Sequence, residues 1–143
     1  MSPHALRALL IPAVALFAAS LFFPVFVCRS SSGHMGYDVL WAGWMAILAL
    51  DPRWLANPAA IWVVYRLARV RTSDRVAGVA CAAGLLALLC VPIPALSCGM
   101  AGGAPDLSLG LRTGGYLWVV SIVWVSALGV AAWWNVFSQA SED

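Results

Sequence analysis

The most constraining feature of this sequence is a long apolar stretch with charged residues in its middle. It runs over 41–67, reads WAGWMAILALDPRWLANPAAIWVVYRL, and carries Asp51, Pro52 and Arg53 near its centre. A single helix over 39–70 would be about 48 Å long, which exceeds the roughly 30 Å hydrocarbon core of a bilayer. It would also place two charges near mid-membrane, at several kcal/mol each. The stretch is therefore predicted to break.

Proline placement predicts where the first half of this stretch ends. We expect Asp38 to cap a short helix over 39–50. Asp51 and Pro52 end that helix, because the residue before a proline disfavours the helical conformation. The short helix cannot span a bilayer, so we expect it to be an interfacial or re-entrant element on the periplasmic side.

The second half of the stretch begins one of four predicted membrane spans. Asn57 and Pro58 are typical of an N-cap followed by the first helical residue. The chain is 63% hydrophobic and only 10% charged, against about 25% charged in soluble domains. These features predict an all-α membrane protein with a single integral domain over 1–143. The four spans are expected at about 6–27, 54–70, 74–93 and 115–137.

The distribution of arginine predicts the orientation of these spans. The N-terminal segment and the loop between the second and third spans carry most of the arginines, namely Arg7, Arg66, Arg69, Arg71 and Arg75. Under the positive-inside rule this side is cytoplasmic, so both termini lie inside a bacterial inner membrane. The first apolar run is longer than a signal-peptide core, and we expect it to stay uncleaved.

Two cysteines are predicted to share the external side. Cys28 follows the first span and Cys98 lies in the second external loop. They form either a disulfide between the two loops or a pair of free thiols, and the sequence supplies no distance that decides between them. His4 and His34 fall on opposite sides of the membrane, so they cannot share a metal. No metal, cofactor or catalytic residue is predicted, and the chain is not expected to be an enzyme.

Several aromatic and charged residues on the external side are candidates for contact with a partner. They are Trp41, Trp44, Asp51, Arg53, Trp54 and Arg112. The third and fourth spans are also rich in small residues, which let helix backbones approach closely in lipid. These small residues either pack the bundle internally or form a face for a partner helix.

Three short motifs are distributed along most of the chain. They are Gly36-Tyr37 with Gly43-Trp44, the run from Trp54 to Pro58, and Gly115-Tyr116-Leu117-Trp118. In these motifs the chain resembles a loose group of small, uncharacterised bacterial four-helix inner-membrane proteins. The resemblance implies an architecture and no particular reaction.

These observations predict a non-catalytic interaction protein with a membrane partner, or one that forms a homo-oligomer. It would serve as an accessory subunit of a membrane complex or as an immunity protein against a membrane-acting toxin. The alternative is a small carrier or enzyme for a lipid or apolar ligand, held in a cleft where Asp38, Asp51, Arg53 and Arg112 converge. A nucleic-acid partner is not expected, since no basic cluster stands apart from the apolar segments.

Overall fold

Helices dominate the structure, and four of them pack as an antiparallel bundle. The computed structural model describes residues 2–28, 34–42, 52–91, 100–101, 104–105 and 108–140. The helices are α1 (Pro3–Ser20), α2 (Gly36–Ala42), α3 (Ala56–Ala68), α4 (Asp74–Leu88) and α5 (Thr113–Ala140). A 3-10 helix over Pro52–Leu55 runs directly into α3.

The mostly helical architecture predicted from the sequence is confirmed, and the structure adds short strands that the prediction did not include. The strands are β1 (Pro24–Cys28), β2 (His34–Met35), β3 (Met100–Ala101), β4 (Ala104–Pro105) and β5 (Ser108–Leu111). An antiparallel sheet has the order β2-β1-β5, and β3 pairs with β4. The central strand β1 pairs with segments that lie before α2 and before α5, so the sheet gathers distant parts of the chain at one end of the bundle.

The first helix ends at Ser20, well before the predicted end at Val27. The backbone N–H groups of Leu21 and Phe22 close its last turn on the carbonyls of Ala18 and Ala19. Pro24 then disfavours the helical conformation at the residue before it. The β-branched and aromatic residues that follow suit a strand, and they find partners on both sides in the sheet.

The short helix α2 begins at Gly36, and Asp38 lies in its first turn instead of capping it. The predicted cap is wrong because backbone carbonyls just after α1 accept the hydrogen bonds of the first N–H groups of α2. The N–H of Gly36 donates to the carbonyl of Phe23, and that of Tyr37 donates to the carbonyl of Leu21. The predicted remainder of this helix, 43–50, lies outside the described residues.

The other predicted spans also change their limits. The predicted second span over 54–70 is a 3-10 helix followed by α3, which ends at Ala68. The third begins at Asp74 as expected but ends at Leu88, short of the predicted limit at 93. The last helix extends beyond the predicted 115–137 at both ends.

The long helix α5 lies at the centre of the bundle and packs against α1, α3 and α4. Small residues fill much of these contacts, including Ala56, Ala60, Ala83 and Ala87 in one buried cluster. A methyl group added at Gly129 would lie 2.8 Å from the Cβ of Ala80. The helices are therefore close enough that part of their interface admits no additional carbon atom.

Large apolar side chains cover the outside of the same helices. Ile11 on α1 is 68% exposed, Ile61 on α3 is 58% exposed, and Leu85 on α4 is 64% exposed. On α5, Val120, Trp124 and Trp134 are exposed. The buried core mixes alanines with larger residues such as Leu67 and Ile122, so large apolar side chains lie both between the helices and on their outside.

Among the described residues, one helix is long and apolar enough to cross a bilayer by length and composition alone. It covers Thr113–Ser138, and half of its most apolar window is buried inside the bundle. The central helix of a soluble protein can meet the same criterion. The shorter apolar helix His4–Ser20 falls below the length limit, so helix length does not establish the four predicted spans.

Substitution of Gly129 by Ala tests the close approach of α5 to α4. The new methyl group meets Ala80, whose Cβ cannot rotate away, so the helices must separate. We expect Gly129→Ala to lower the free energy of unfolding by about 1–3 kcal/mol, measured by thermal unfolding in mild detergent.

Gly78→Ala is the matched control, because nothing lies within 4 Å of a Cβ at Gly78. That variant should unfold at or slightly above the wild-type temperature, since alanine favours a helix over glycine. Equal destabilisation of both variants would contradict the packing account.

Candidate functional site

The two ends of the bundle carry different chemistry. At the sheet end lie the C-terminus of α1, all of α2, the N-terminus of α5 and the sheet. At the arginine end lie the N-termini of α1 and α4 and the C-termini of α3 and α5. Two long-range contacts join the elements of the arginine end. Arg7 Nε donates to the carbonyl of Ala68, and Trp133 Nε1 donates to Asp74 Oδ1 at 2.6 Å.

Exposed aromatic side chains form the surface of the sheet end. They are Phe22, Phe23, Tyr37, Trp41 and Tyr116. Trp41, a predicted partner contact, is 84% exposed on α2. The backbone of α2 is held by its hydrogen bonds to the end of α1, so this large apolar side chain projects from a fixed support. Such a surface can pack against another apolar surface.

Two other predicted contact residues behave differently from Trp41. Arg53 lies in the 3-10 helix and is only 9% exposed. The next residue, Trp54, is half-buried, and its Nε1 has no hydrogen-bond partner among the described residues. Because Arg53 is buried, most of its side chain cannot reach a partner protein, and its contacts lie within the bundle.

Asn57 joins two helices instead of capping one, so its predicted role as an N-cap is wrong. The residue is buried, and its Oδ1 accepts a hydrogen bond of 2.7 Å from Trp118 Nε1 on α5. No side-chain cap is present at the start of α3, because the 3-10 helix continues directly into it. Pro58 therefore lies in the first turn and does not open the helix. Pro52 opens the 3-10 helix, in keeping with a break at this point.

Of the residues predicted to converge on a cleft, Arg53 is buried, whereas Asp38 and Arg112 are exposed. Arg112 is exposed between β5 and α5, and its backbone N–H donates to the carbonyl of Val25 at 2.8 Å. Asp38 is exposed on α2. Cys28 ends β1. Cys98, which the sequence leaves as either its disulfide partner or a second free thiol, lies outside the described residues, as do Trp44 and Asp51.

Two apolar cavities lie between the helices, and the described lining of both contains none of the predicted site residues. One has a volume of about 170 Å³ and lies between α1, α3 and α5, beside Phe17, Val64 and Ser121. The other is an open groove of about 570 Å³ along α5, beside Leu88 and Trp124. Within the described chain, no three His, Cys, Asp or Glu side chains converge to hold a metal.

The arginine end holds two contacts between arginine and aromatic side chains that were not predicted from the sequence. The guanidinium of Arg66 lies 5.5 Å from the ring centre of Trp62, and that of Arg69 lies 5.3 Å from the ring centre of Tyr65. Both pairs are separated by four residues on α3, a spacing that brings side chains together on one helix face. This four-residue spacing could therefore have predicted both contacts from the sequence.

The turn that follows α3 is strained at Val70. The N–H of Arg71 donates to the carbonyl of Arg66, and the N–H of Val70 donates to the carbonyl of Leu67. This is the Schellman pattern, which places one residue in the left-handed region and favours glycine there. Val70 occupies that place with φ 53°, although a β-branched residue rarely adopts it.

With this geometry in view, comparison with known proteins adds no identification. No protein-family model, curated protein or solved structure matches the chain.

Replacement of Val70 by Gly tests the strain in the turn. Glycine adopts a positive φ without steric conflict, so we expect Val70→Gly to raise the free energy of unfolding by about 1 kcal/mol. The midpoint of thermal unfolding in mild detergent measures the change. Val70→Ala keeps the unfavourable left-handed conformation of an L-residue and should give much less. A Val70→Gly variant less stable than Val70→Ala would contradict the strain.

Proposed function

We propose that the chain is an integral membrane protein in which α1, α3, α4 and α5 all cross the bilayer. The observation that carries the proposal is the apolar exterior of the helices, where many large apolar side chains are exposed, together with close helix contacts at glycine, alanine and serine. Small residues at helix interfaces are typical of bundles in lipid, where close packing drives association. In water, these exposed apolar side chains would have no apolar surface to contact.

The dimensions of the bundle are compatible with this placement. The 18 residues of α1 extend over about 27 Å. The 3-10 helix and α3 together extend over about 28 Å. Both values are close to the roughly 30 Å hydrocarbon core, and a short or thinned span is tolerated at a modest cost.

The charge distribution supports one orientation. The contacts described above bring Arg7, the end of α3 and the start of α4 to the same end. By the positive-inside rule this arginine end faces the cytoplasm, which puts both ends of the described chain there. The resemblance to small bacterial four-helix proteins favours the inner membrane, with the sheet end toward the periplasm.

We infer that the sheet end contacts a partner protein and that the function is non-catalytic. The exposed Trp41, with Phe22 and Tyr37 on neighbouring segments, offers large aromatic side chains of the kind that dominate protein interfaces. An accessory subunit of a membrane complex would use this surface permanently. An immunity protein would use it to block a membrane-acting toxin.

A carrier for an apolar ligand is the second candidate, and the cavity beside Phe17 and Ser121 favours it. The cavity volume of about 170 Å³ is enough for part of a hydrocarbon chain, and its lining is apolar. A carrier should retain a lipid in this cavity after purification. Replacement of Ala60 by Phe would then displace the lipid without affecting contacts at Trp41.

Site-specific photo-crosslinking in cells tests the partner proposal. With a photoreactive amino acid in place of Trp41, we expect an adduct of discrete mass with one membrane protein. The same amino acid in place of Phe137, exposed at the arginine end, is the matched control and should not yield that adduct. Equal adducts from both positions, or none from Trp41, would overturn the proposed surface.

The same adduct separates the two versions of the function. An accessory subunit should crosslink to a protein of its own cell, and deletion of the chain should lower the amount or activity of that protein. An immunity protein should crosslink only when a rival strain supplies the toxin, and cells without it should die in mixed culture. Equal survival of cells with and without the chain removes the immunity version.

A further inference from the structure

The arginine end carries positive charge that the described structure does not neutralise. Arg66, Arg69, Arg71 and Arg75 lie within one turn region, and none has a described carboxylate within ion-pair distance. Among the described residues of this turn region, the acid is Asp74, which accepts a hydrogen bond from Trp133. Two further acids, Glu142 and Asp143, follow α5 in the sequence outside the described residues, so the four arginines outnumber these three acids. An anion from outside the chain is the complementary partner.

Two of these guanidinium groups are held in place by aromatic rings. Arg66 lies over Trp62 and Arg69 lies over Tyr65 at the distances given above. Arg66 Nε is buried without a hydrogen-bond partner among the described residues, whereas the side chain as a whole remains partly exposed. A guanidinium stacked on a ring keeps its edge donors available for a planar or tetrahedral anion, and phosphate oxygens match that fork.

The strained turn supports a role for the arginine positions. Val70 adopts its left-handed conformation between Arg69 and Arg71, and the two Schellman hydrogen bonds fix the turn. A strained residue persists only where the surrounding structure determines its conformation, and such residues cluster at functional sites. Here the strained residue separates two exposed arginines that project from the end of the bundle.

The surroundings of the arginines favour a lipid over a soluble anion. Tyr65, Val70, Trp134 and Phe137 are exposed at the same end. Exposed aromatic residues next to arginine are typical of the level at which lipid headgroups meet the hydrocarbon core. At that level the abundant anion is the phosphate of acidic phospholipids.

We propose that the arginine end binds the headgroups of acidic phospholipids, with Arg66 and Arg69 as the phosphate-binding residues and Arg71 and Arg75 as additional cations. The proposal rests on the membrane location proposed above, because the lipid must lie beside the bundle. It adds a specific ligand class to an end that the partner surface does not use.

Lipid titration of the full chain in a neutral detergent tests the proposal, with the unfolding midpoint as the signal. We expect phosphatidylglycerol to raise the midpoint and phosphatidylcholine to leave it unchanged. Arg66→Gln with Arg69→Gln should weaken the apparent affinity for phosphatidylglycerol at least about tenfold. Arg112→Gln, an exposed arginine at the sheet end, is the matched control and should keep the wild-type affinity.

A second pair of substitutions keeps the test decisive if the first double variant fails to fold. If circular dichroism shows that the Arg66 and Arg69 variant is unfolded, Arg71→Gln with Arg75→Gln changes two exposed side chains and should also weaken binding. An equal response to both lipids, or wild-type affinity in a folded double variant, overturns the proposal. Glycerol phosphate or a polyglutamate peptide that reproduces the full response also overturns it, in favour of a free anion or an acidic protein.

Carbonate extraction of membranes separates this proposal from the membrane location. A chain that stays in carbonate-washed membranes but shows no preference for phosphatidylglycerol overturns only the lipid site. Release of the chain by carbonate would contradict the membrane location, and with it the proposed lipid site.

Discussion

Close packing of α5 against its neighbours is the constraint on which the rest of the structure depends. Gly129 faces Ala80, and the Cβ position of Gly84 lies 3.1 Å from Ser126. At these positions the shared side chains are small, whereas larger residues such as Leu67 fill other parts of the core. Many large apolar residues also lie on the outside of the helices, where a surrounding apolar medium would cover them. The close contacts therefore determine the internal packing, and the apolar exterior motivates the proposed membrane location.

Different contacts hold the helices together at the two ends of the bundle. At the sheet end, Trp118 Nε1 donates a partly buried hydrogen bond to Asn57 Oδ1, and β1 joins the ends of α1 and α5. These contacts add directional bonds to the packing of the helices. At the arginine end, Arg7 caps the C-terminus of α3, and Asp74 receives the indole N–H of Trp133. Each end thus locks the register of the helices and leaves a different surface outside: aromatic at one end, aromatic and cationic at the other.

The sequence predicted some of this architecture for sound physical reasons. Apolar runs and prolines located the helices, including the start of α4 at Asp74 and a break before α3. The strand β1 was missed because its partners at His34 and Ser108–Leu111 are distant in sequence. The role of Asn57 was misread because an Asn-Pro pair fits a cap, whereas its actual partner, Trp118, is far along the chain. The stacked arginines could have been found from their spacing. The strain at Val70 could not, since valine gives no signal of a left-handed turn.

Labelling of single cysteines tests most directly whether the outer faces of the helices contact lipid. In a chain whose native cysteines are replaced by serine, Ile61→Cys and Leu85→Cys probe the outer faces of α3 and α4, and Arg71→Cys probes the arginine end. With a membrane-permeant maleimide and native membranes, we expect Arg71→Cys to react at once. Ile61→Cys and Leu85→Cys should react only after the bilayer is dissolved, because a thiol in hydrocarbon does not ionise. Equal rates at all three positions in intact membranes would contradict the account.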